Sequence, residues 1–362
     1  WCFYLILISI LSENILLSLE SSLFYFRFGL FVLLFTHISI TYSNFLKYFS
    51  IIFSLIIIII FFDSFFQYFF NFNIIGYPYN GIKLSSFFND EEILGSFISR
   101  TFFLPIIAYI LLNKKILYEN FILFIYIFAT FAITIFSGER TAFFILTLNF
   151  LILAISYKNL LKKNFIYLIS FILIISSFII FDKSISNRIF YNTISEFNFK
   201  FTEDNKLDFN IFTSIHTLHY ITAFKMFNDK PILGHGPKMF RDLCSTKKYR
   251  MGYYINKDDN KVWLNTNCAT HPHSTYMQLF SETGIIGTLP IIILFIFCLF
   301  VITKKIFSSK FYISNISYLC IVMIFCNLWP IMPSGNFFNN WISIIYYLPI
   351  AVLFYDNYKT KI

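Results

Sequence analysis

Long apolar runs, broken by short polar ones, make up most of this chain. A membrane-crossing helix needs about 20 apolar residues. Ten stretches meet or approach that length: 2–19, 23–41, 49–70, 94–112, 121–136, 141–156, 164–181, 276–302, 312–329 and 338–355. One extended polar segment separates the first seven from the last three. The pattern therefore predicts an all-α, polytopic helical membrane protein with about ten spans. Seven N-terminal spans occupy 1–181, a large loop of short helices occupies 182–275, and three C-terminal spans occupy 276–362. Inside the loop, "IFTSIHTLHYITAFKMF" puts Ile211, Ile215, Leu218 and Met226 on one stripe, as an amphipathic helix does. "NDKPILGHGP" follows, and Pro231, Gly234, Gly236 and Pro237 give it turn chemistry. No internal repeat is visible.

Charge orients the pattern. Lys47, Lys114, Lys115, Lys158, Lys162, Lys163, Lys304, Lys305, Lys310, Lys359 and Lys361 all fall in alternate connections, where Glu119 and Asp356 are the acids. The positive-inside rule makes these connections cytoplasmic. Segments 71–92, 137–140, 182–274 and 330–337 then face the other side. The same arrangement explains the net charge of +9. In a soluble domain that surplus would suggest nucleic acid, but here it marks loops, so the bilayer is the expected partner and no nucleic acid is expected. Composition agrees: 57% of residues are hydrophobic and 13% are charged, about half the charge of a soluble domain. The chain opens at Trp1 inside an apolar run, which reads as a segment lacking its protein's true start, and no cleavable leader is visible.

The candidate chemistry lies in the connections opposite the lysines. In "HPHSTYMQLFSETGIIG", His271 and His273 flank Pro272 just before the long span near 276–302. Thr275 and Gln278 have capping-box spacing, so the helix is expected to start near Ser274 or Thr275. Running to about 302, it exceeds the hydrocarbon thickness, so its first turns stand above the bilayer. The positive end of its dipole disfavours imidazolium, and a neutral His273 is what a general base for a hydroxyl requires. Thr275, Gln278 and Glu282 share one face and would orient the ring or a substrate. The bland alternative is a histidine that only hydrogen-bonds the helix start.

Arg140 in "SGERTAFF" and Arg188 in "SISNRIF" sit at the ends of spans, either as interfacial anchors or as forks for phosphate. Arg241 in "MFRDLC" lies beside Cys244. Cys244 and Cys268 share the polar loop, and an oxidising compartment would let them bridge. Such a bridge would contribute roughly 3 kcal/mol by loop entropy. The alternative is two free thiols. Cys2, Cys298, Cys320 and Cys326 fall in spans as packing residues. The run Asn89-Asp90-Glu91-Glu92 suits either a divalent cation or a solvated helix start. No zinc pattern, P-loop or nucleophile elbow is present, so neither metal nor cofactor is expected. Within spans, Arg27 and Asp63 are the clear ionisable residues, a weak signal for transport.

These residues resemble the O-antigen ligase and polymerase superfamily of bacterial membrane glycosyltransferases. "HPHSTYMQLFSETGIIG" is similar to the family's histidine signature. His273 falls on its histidine, Ser274 on the next position and Gly284 on its glycine, while Met277 stands where leucine is usual. "SGERTAFF", "KMFNDKPILGHGPKMFRDLC" and "FFNDEEILGSFISR" resemble three further family segments, in the family's order.

The resemblance implies a glycan donor on undecaprenyl pyrophosphate, used at the periplasmic face of the bacterial inner membrane, with inversion and without metal. It implies that His273 activates the acceptor hydroxyl and that Arg140, Arg188 and Arg241 hold pyrophosphate, with His271, His216, Gln278 and Glu282 in support. A second arginine common in the family has no counterpart in its expected place, which His216 occupies. The acceptor is lipid A–core for an O-antigen ligase, the preferred reading, or a growing lipid-linked glycan for a polymerase. A transporter is the weaker alternative; it requires that His273→Ala leave function intact.

Overall fold

The computed structural model describes residues 1–157 apart from 80, 82 and 113–118, residues 187, 191, 198–201 and 207–210, and residues 212–360 apart from 258, 259, 266 and 309. The expected span 164–181 and Ile211 lie outside the described residues. Helices dominate: α1 (Cys2–Ile10), α2 (Ile15–Ser22), α3 (Phe26–Thr41), α4 (Phe45–Phe70), α5 (Leu94–Thr101), α6 (Phe103–Leu112), α7 (Glu119–Phe136), α8 (Arg140–Ser156), α9 (Ser214–Asp229), α10 (Met239–Leu243), α11 (Thr275–Phe307), α12 (Asn315–Asn327) and α13 (Asn340–Lys359). Among the described residues, four helices are long and apolar enough to cross a membrane: Ile15–Thr41, Phe45–Phe70, Leu94–Leu112 and Thr275–Phe307. Phe121–Phe136, Arg140–Ser156 and Asn315–Asn327 are shorter apolar helices at expected span positions. This is a helical membrane protein.

Three expectations need correction. The stretch 2–19 is not one span. Ser12, Glu13 and Asn14 interrupt it, and the Asn14 side chain accepts Leu17 N at 3.2 Å to start α2 afresh. Buried serines then join α1 to α2: Ser9 Oγ lies 2.7 Å from Ser22 Oγ and 2.9 Å from Ser18 Oγ. Such hydrogen bonds hold helices together where apolar contact gives little preference over lipid. The loop 182–275 is not built of short helices alone. It also holds two antiparallel hairpins, β1 (Asn198–Phe201) with β2 (Leu207–Asn210) and β3 (Gly252–Lys257) with β4 (Asn260–Asn265). "GYYINK" and "KVWLN" carry the β-branched and aromatic residues that strands favour, and the register pairs Lys257 with Asn260. The third correction concerns α11, which is not continuous. Gly284 has φ 61° and ψ −169° and breaks the helix there. The 23 residues after the break still reach about 34 Å, enough to cross the hydrocarbon core.

Contacts divide the chain into two compact units. Unit 1 comprises Trp1–Leu34, Glu196–Leu299 and Leu328–Ala351; unit 2 comprises Phe35–Ser195, Phe300–Asn327 and Val352–Ile362. In unit 2, Asp63 is fully buried near the end of α4. It accepts hydrogen bonds from Ile74 N at 2.9 Å, Asn73 Nδ2 at 3.3 Å and the Ser86 hydroxyl at 2.5 Å. These bonds fold the connection 71–86 back onto the helix and account for a carboxylate at that position. In unit 1, Arg27 donates to Asn340 Oδ1 and lies over the Phe28 ring.

Candidate functional site

The break in α11 is the keystone of unit 1. In an unbroken helix, Ile285 N and Ile286 N would bond the carbonyls of Ser281 and Glu282. Here they bond Pro231 O at 2.9 Å and Ile232 O at 3.4 Å instead. The released carbonyls accept His235 N at 3.1 Å and Gly236 N at 2.8 Å. The segment Pro231–Gly236 is thus spliced into the helix, and every exchanged backbone group stays paired. Two glycines permit the approach. A Cβ on Gly234 would lie 2.5 Å from Gly284 N, and one on Gly284 would lie 2.3 Å from Ile232 O. Both residues also have positive φ, which glycine tolerates.

Beside the splice, α9 and α10 pack around Ala223, Met226, Met239, Phe240, Leu243 and Tyr249, with Cys244 and Cys268. The two cysteines are bonded, with Cα atoms 5.3 Å apart. The neighbouring Asn267 is fully buried. Its Nδ2 donates to Thr222 Oγ1 at 2.7 Å, Tyr249 O at 3.1 Å and Cys244 O at 3.2 Å, and its Oδ1 accepts Met251 N at 2.8 Å. We predict that Asn267→Ala costs at least about 2 kcal/mol, because it strands buried partners. Thermal unfolding of the purified protein measures this.

The buried stripe of α9 is not the expected one. Met226 is buried, but Ile215 is 58% exposed; His219, Tyr220 and Ala223 face inward instead. Thr213 caps this helix, accepting His216 N at 3.2 Å. Position 216 and position 219, one turn apart, bring two imidazoles to the "HPH" stretch. The ring of His273 lies 4.2 Å from that of His271 and 5.4 Å from those of His216 and His219, centroid to centroid. Among the described residues, no three His, Cys, Asp or Glu side chains converge as a metal-holding group.

The two histidines of "HPH" differ in what they can do. The His271 Nε2 donates to Ser334 O at 3.2 Å, so its Nδ1 is the acceptor for the Thr270 hydroxyl at 3.0 Å. Both nitrogens are used, and burial, the neighbouring His273 and the Arg241 cation push its pKa down to about 3. His271 is a structural clamp. His273 has φ 54°, and its carbonyl is held by Ser334 N at 3.0 Å and the Tyr220 hydroxyl at 3.3 Å. Neither of its ring nitrogens has a hydrogen-bond partner among the described residues. Burial, then the neighbouring His216, hold its imidazole below the ordinary value. Burial is the leading cause. His219 is 4% exposed, and its Nδ1 is buried without a partner. Burial and the adjoining His273 and His216 bring it down to about 4.

Gln278 and Glu282 brace the opposite side. The expected capping box does not form: Gln278 does not reach back to the helix start. Its Nε2 donates to Glu282 Oε2 at 3.0 Å and Asn336 Oδ1 at 2.8 Å, and its Oε1 accepts Phe337 N at 2.9 Å. The Thr275 hydroxyl instead meets Ser334 Oγ at 2.8 Å. Fully buried Glu282 accepts Phe240 N at 3.1 Å, fixing the start of α10. That helix carries Arg241, which interacts electrostatically with Glu282 and His271. The Arg241 Nε is buried without a hydrogen-bond partner.

Unit 2 has its own joint. Glu139 accepts Gly95 N at 2.6 Å, Ser96 N at 3.1 Å and Ser96 Oγ at 2.5 Å, tying "SGERTAFF" to "EEILGSFISR". Arg140 opens α8, half-buried. Glu92 pairs with Lys83. Arg188 lies outside the described residues.

Each joint links two separated motifs, and both of the motifs that carry Glu139 and the splice fall within a single stretch of sequence. Residues 125–292 match the family model described as O-antigen ligase. Over that stretch the chain is similar to the O-antigen ligase family. No curated protein and no solved structure matches it. The family match takes in Arg140, the four histidines His216, His219, His271 and His273, Arg241, and the splice itself. Sequence reasoning missed His219 and Asn267. The i, i+3 spacing of "HTLH" was a usable signal for the first. Nothing local marks Asn267, whose partners lie 16 to 45 residues away.

Proposed function

We propose that this protein is a membrane glycosyltransferase of the O-antigen ligase type. It transfers a glycan from undecaprenyl pyrophosphate to a hydroxyl of lipid A–core at the periplasmic face of the inner membrane. The observation that carries the reading is the contrast within "HPH": His271 is fully bonded, whereas His273 is neutral and has both ring nitrogens available. His273 takes the acceptor hydroxyl's proton. The oxygen attacks the anomeric carbon as the bond to pyrophosphate breaks, and the electron pair leaves with the pyrophosphate. Inversion follows from attack opposite the leaving group. Fixed cations stabilise that developing charge. Arg241, with an unpartnered Nε, serves this role, and the family resemblance gives the same role to Arg140 and Arg188. Burial, then the neighbouring His216, favours neutral His273, while Gln278 and Glu282 hold Arg241 in place. No cofactor enters this scheme.

The test is a lipopolysaccharide gel from the source bacterium with the gene deleted, complemented by wild type or by His273→Ala. Loss of all O-chain bands, single-repeat forms included, is expected. Retention of a single-repeat band without the ladder would identify a polymerase instead. An unchanged ladder would sink both. Separately, Arg241→Lys and Arg140→Lys should each lose most transfer at normal protein levels, since lysine cannot fork a phosphate. Full activity in either would make that arginine an anchor.

A further inference from the structure

The apolar surface of unit 1 continues past the point where α11 breaks. Below the break, Ile286, Leu289, Ile293 and Ile296 recur every three or four residues and are each roughly half exposed, as lipid-facing residues of a span are. The spliced segment extends this surface sideways. Ile232, 60% exposed, receives the Ile286 N–H on its carbonyl, and Leu233 beside it is exposed too. Above the break the surface passes to another helix. Phe280 of α11 meets Phe227 of α9 at 5.1 Å, and Phe227 meets Phe224 at 6.3 Å. Phe224 and Ile221 are exposed on the side of α9 opposite His219, Ala223 and Met226. A soluble surface rarely leaves so large a contiguous apolar patch open.

We propose that the Pro231–Leu233 turn and the Ile221/Phe224 face of α9 are embedded in the acyl region of the bilayer. The patch is continuous with the lipid face of α11, so the same solvent covers both. Exposed Lys225, next to Phe224, extends its ammonium to the headgroups while its stem stays in the apolar layer. One face of α9 then carries histidines and the other carries lipid contacts, which seats the His273 cluster at the membrane surface. The inference rests on α11 crossing a membrane and not on the transferase reading, so a failed gel would leave it standing.

The experiment uses the full chain in vesicles of phosphatidylethanolamine and phosphatidylglycerol, with or without brominated acyl chains. Ile232→Trp and Phe224→Trp are compared with Ile293→Trp inside the span and Lys247→Trp on the exposed polar surface, each after subtraction of the parent spectrum. The added emission of Ile232→Trp and Phe224→Trp should be quenched by brominated lipid as strongly as that of Ile293→Trp, and resist acrylamide. Quenching by acrylamide alone, as for Lys247→Trp, would place the turn in water and overturn the proposal. Protection from both quenchers would mean that protein covers the patch, and would overturn it equally.

Discussion

His273→Ala should lower the transfer rate by about 10²–10⁴-fold, the usual contribution of a positioned general base, while the protein still folds. The backbone at position 273 carries the structural contacts: its carbonyl takes Ser334 N and the Tyr220 hydroxyl. The ring has no hydrogen bond to lose. His271→Ala should behave differently, because it removes the donor to Ser334 O and so costs stability as well as rate. Rates measured with purified enzyme and lipid-linked donor, alongside melting temperatures, separate the two.

The pH dependence gives a sharper check. A base works when neutral, and burial with His216 holds the His273 imidazole below its ordinary value of about 6.5. Activity should therefore persist as pH falls through 6.5 and decline only below it. Removing the His216 charge raises the pKa, so His216→Ala should move the acid limb upward, toward 6.5. An acid limb that stays put in His216→Ala would contradict the assigned base.

Gly284→Ala should be among the most damaging single-methyl changes available. The residue sits at φ 61° and ψ −169°, a region essentially reserved for glycine, which costs an alanine about 1–3 kcal/mol. Its Cβ would also lie 2.3 Å from Ile232 O, a backbone atom that cannot swing aside, adding about 1–3 kcal/mol of overpacking. Gly29→Ala in α3 is the control. Nothing lies within 4 Å of a Cβ there, and alanine favours the helix by up to about 1 kcal/mol. Thermal unfolding in detergent should show a large fall for Gly284→Ala and no fall for Gly29→Ala. Equal melting temperatures would mean that the splice contributes little.

Much of this was legible because hydropathy is local. A run such as Phe45–Phe70 announces a span wherever it lies. His273 was legible because its motif is short and stands at the mouth of a long apolar helix. The features that escaped depend on distant partners. Ser12-Glu13-Asn14 breaks an apolar run that otherwise has span length, and only the serine contacts between α1 and α2 show why a break is tolerated. Gly284 reads as an ordinary helix glycine until Pro231–Gly236 arrives from some 50 residues away. The inward face of α9 was misjudged because Ile215 is a stronger apolar signal than His219, yet the cluster it would have to join is made of imidazoles.

The splice has a consequence for tolerated length changes. Gln278 and Glu282 must face Asn336 and Phe240, while Gly284 must meet Ile232. All three sit on one rigid turn-and-a-half of helix, where each added residue rotates what lies above by about 100°. One insertion between Gln278 and Gly284 would swing the histidine end away from Arg241 without touching either group. The stretch behaves as a ruler, so sequence drift here can change letters but not count.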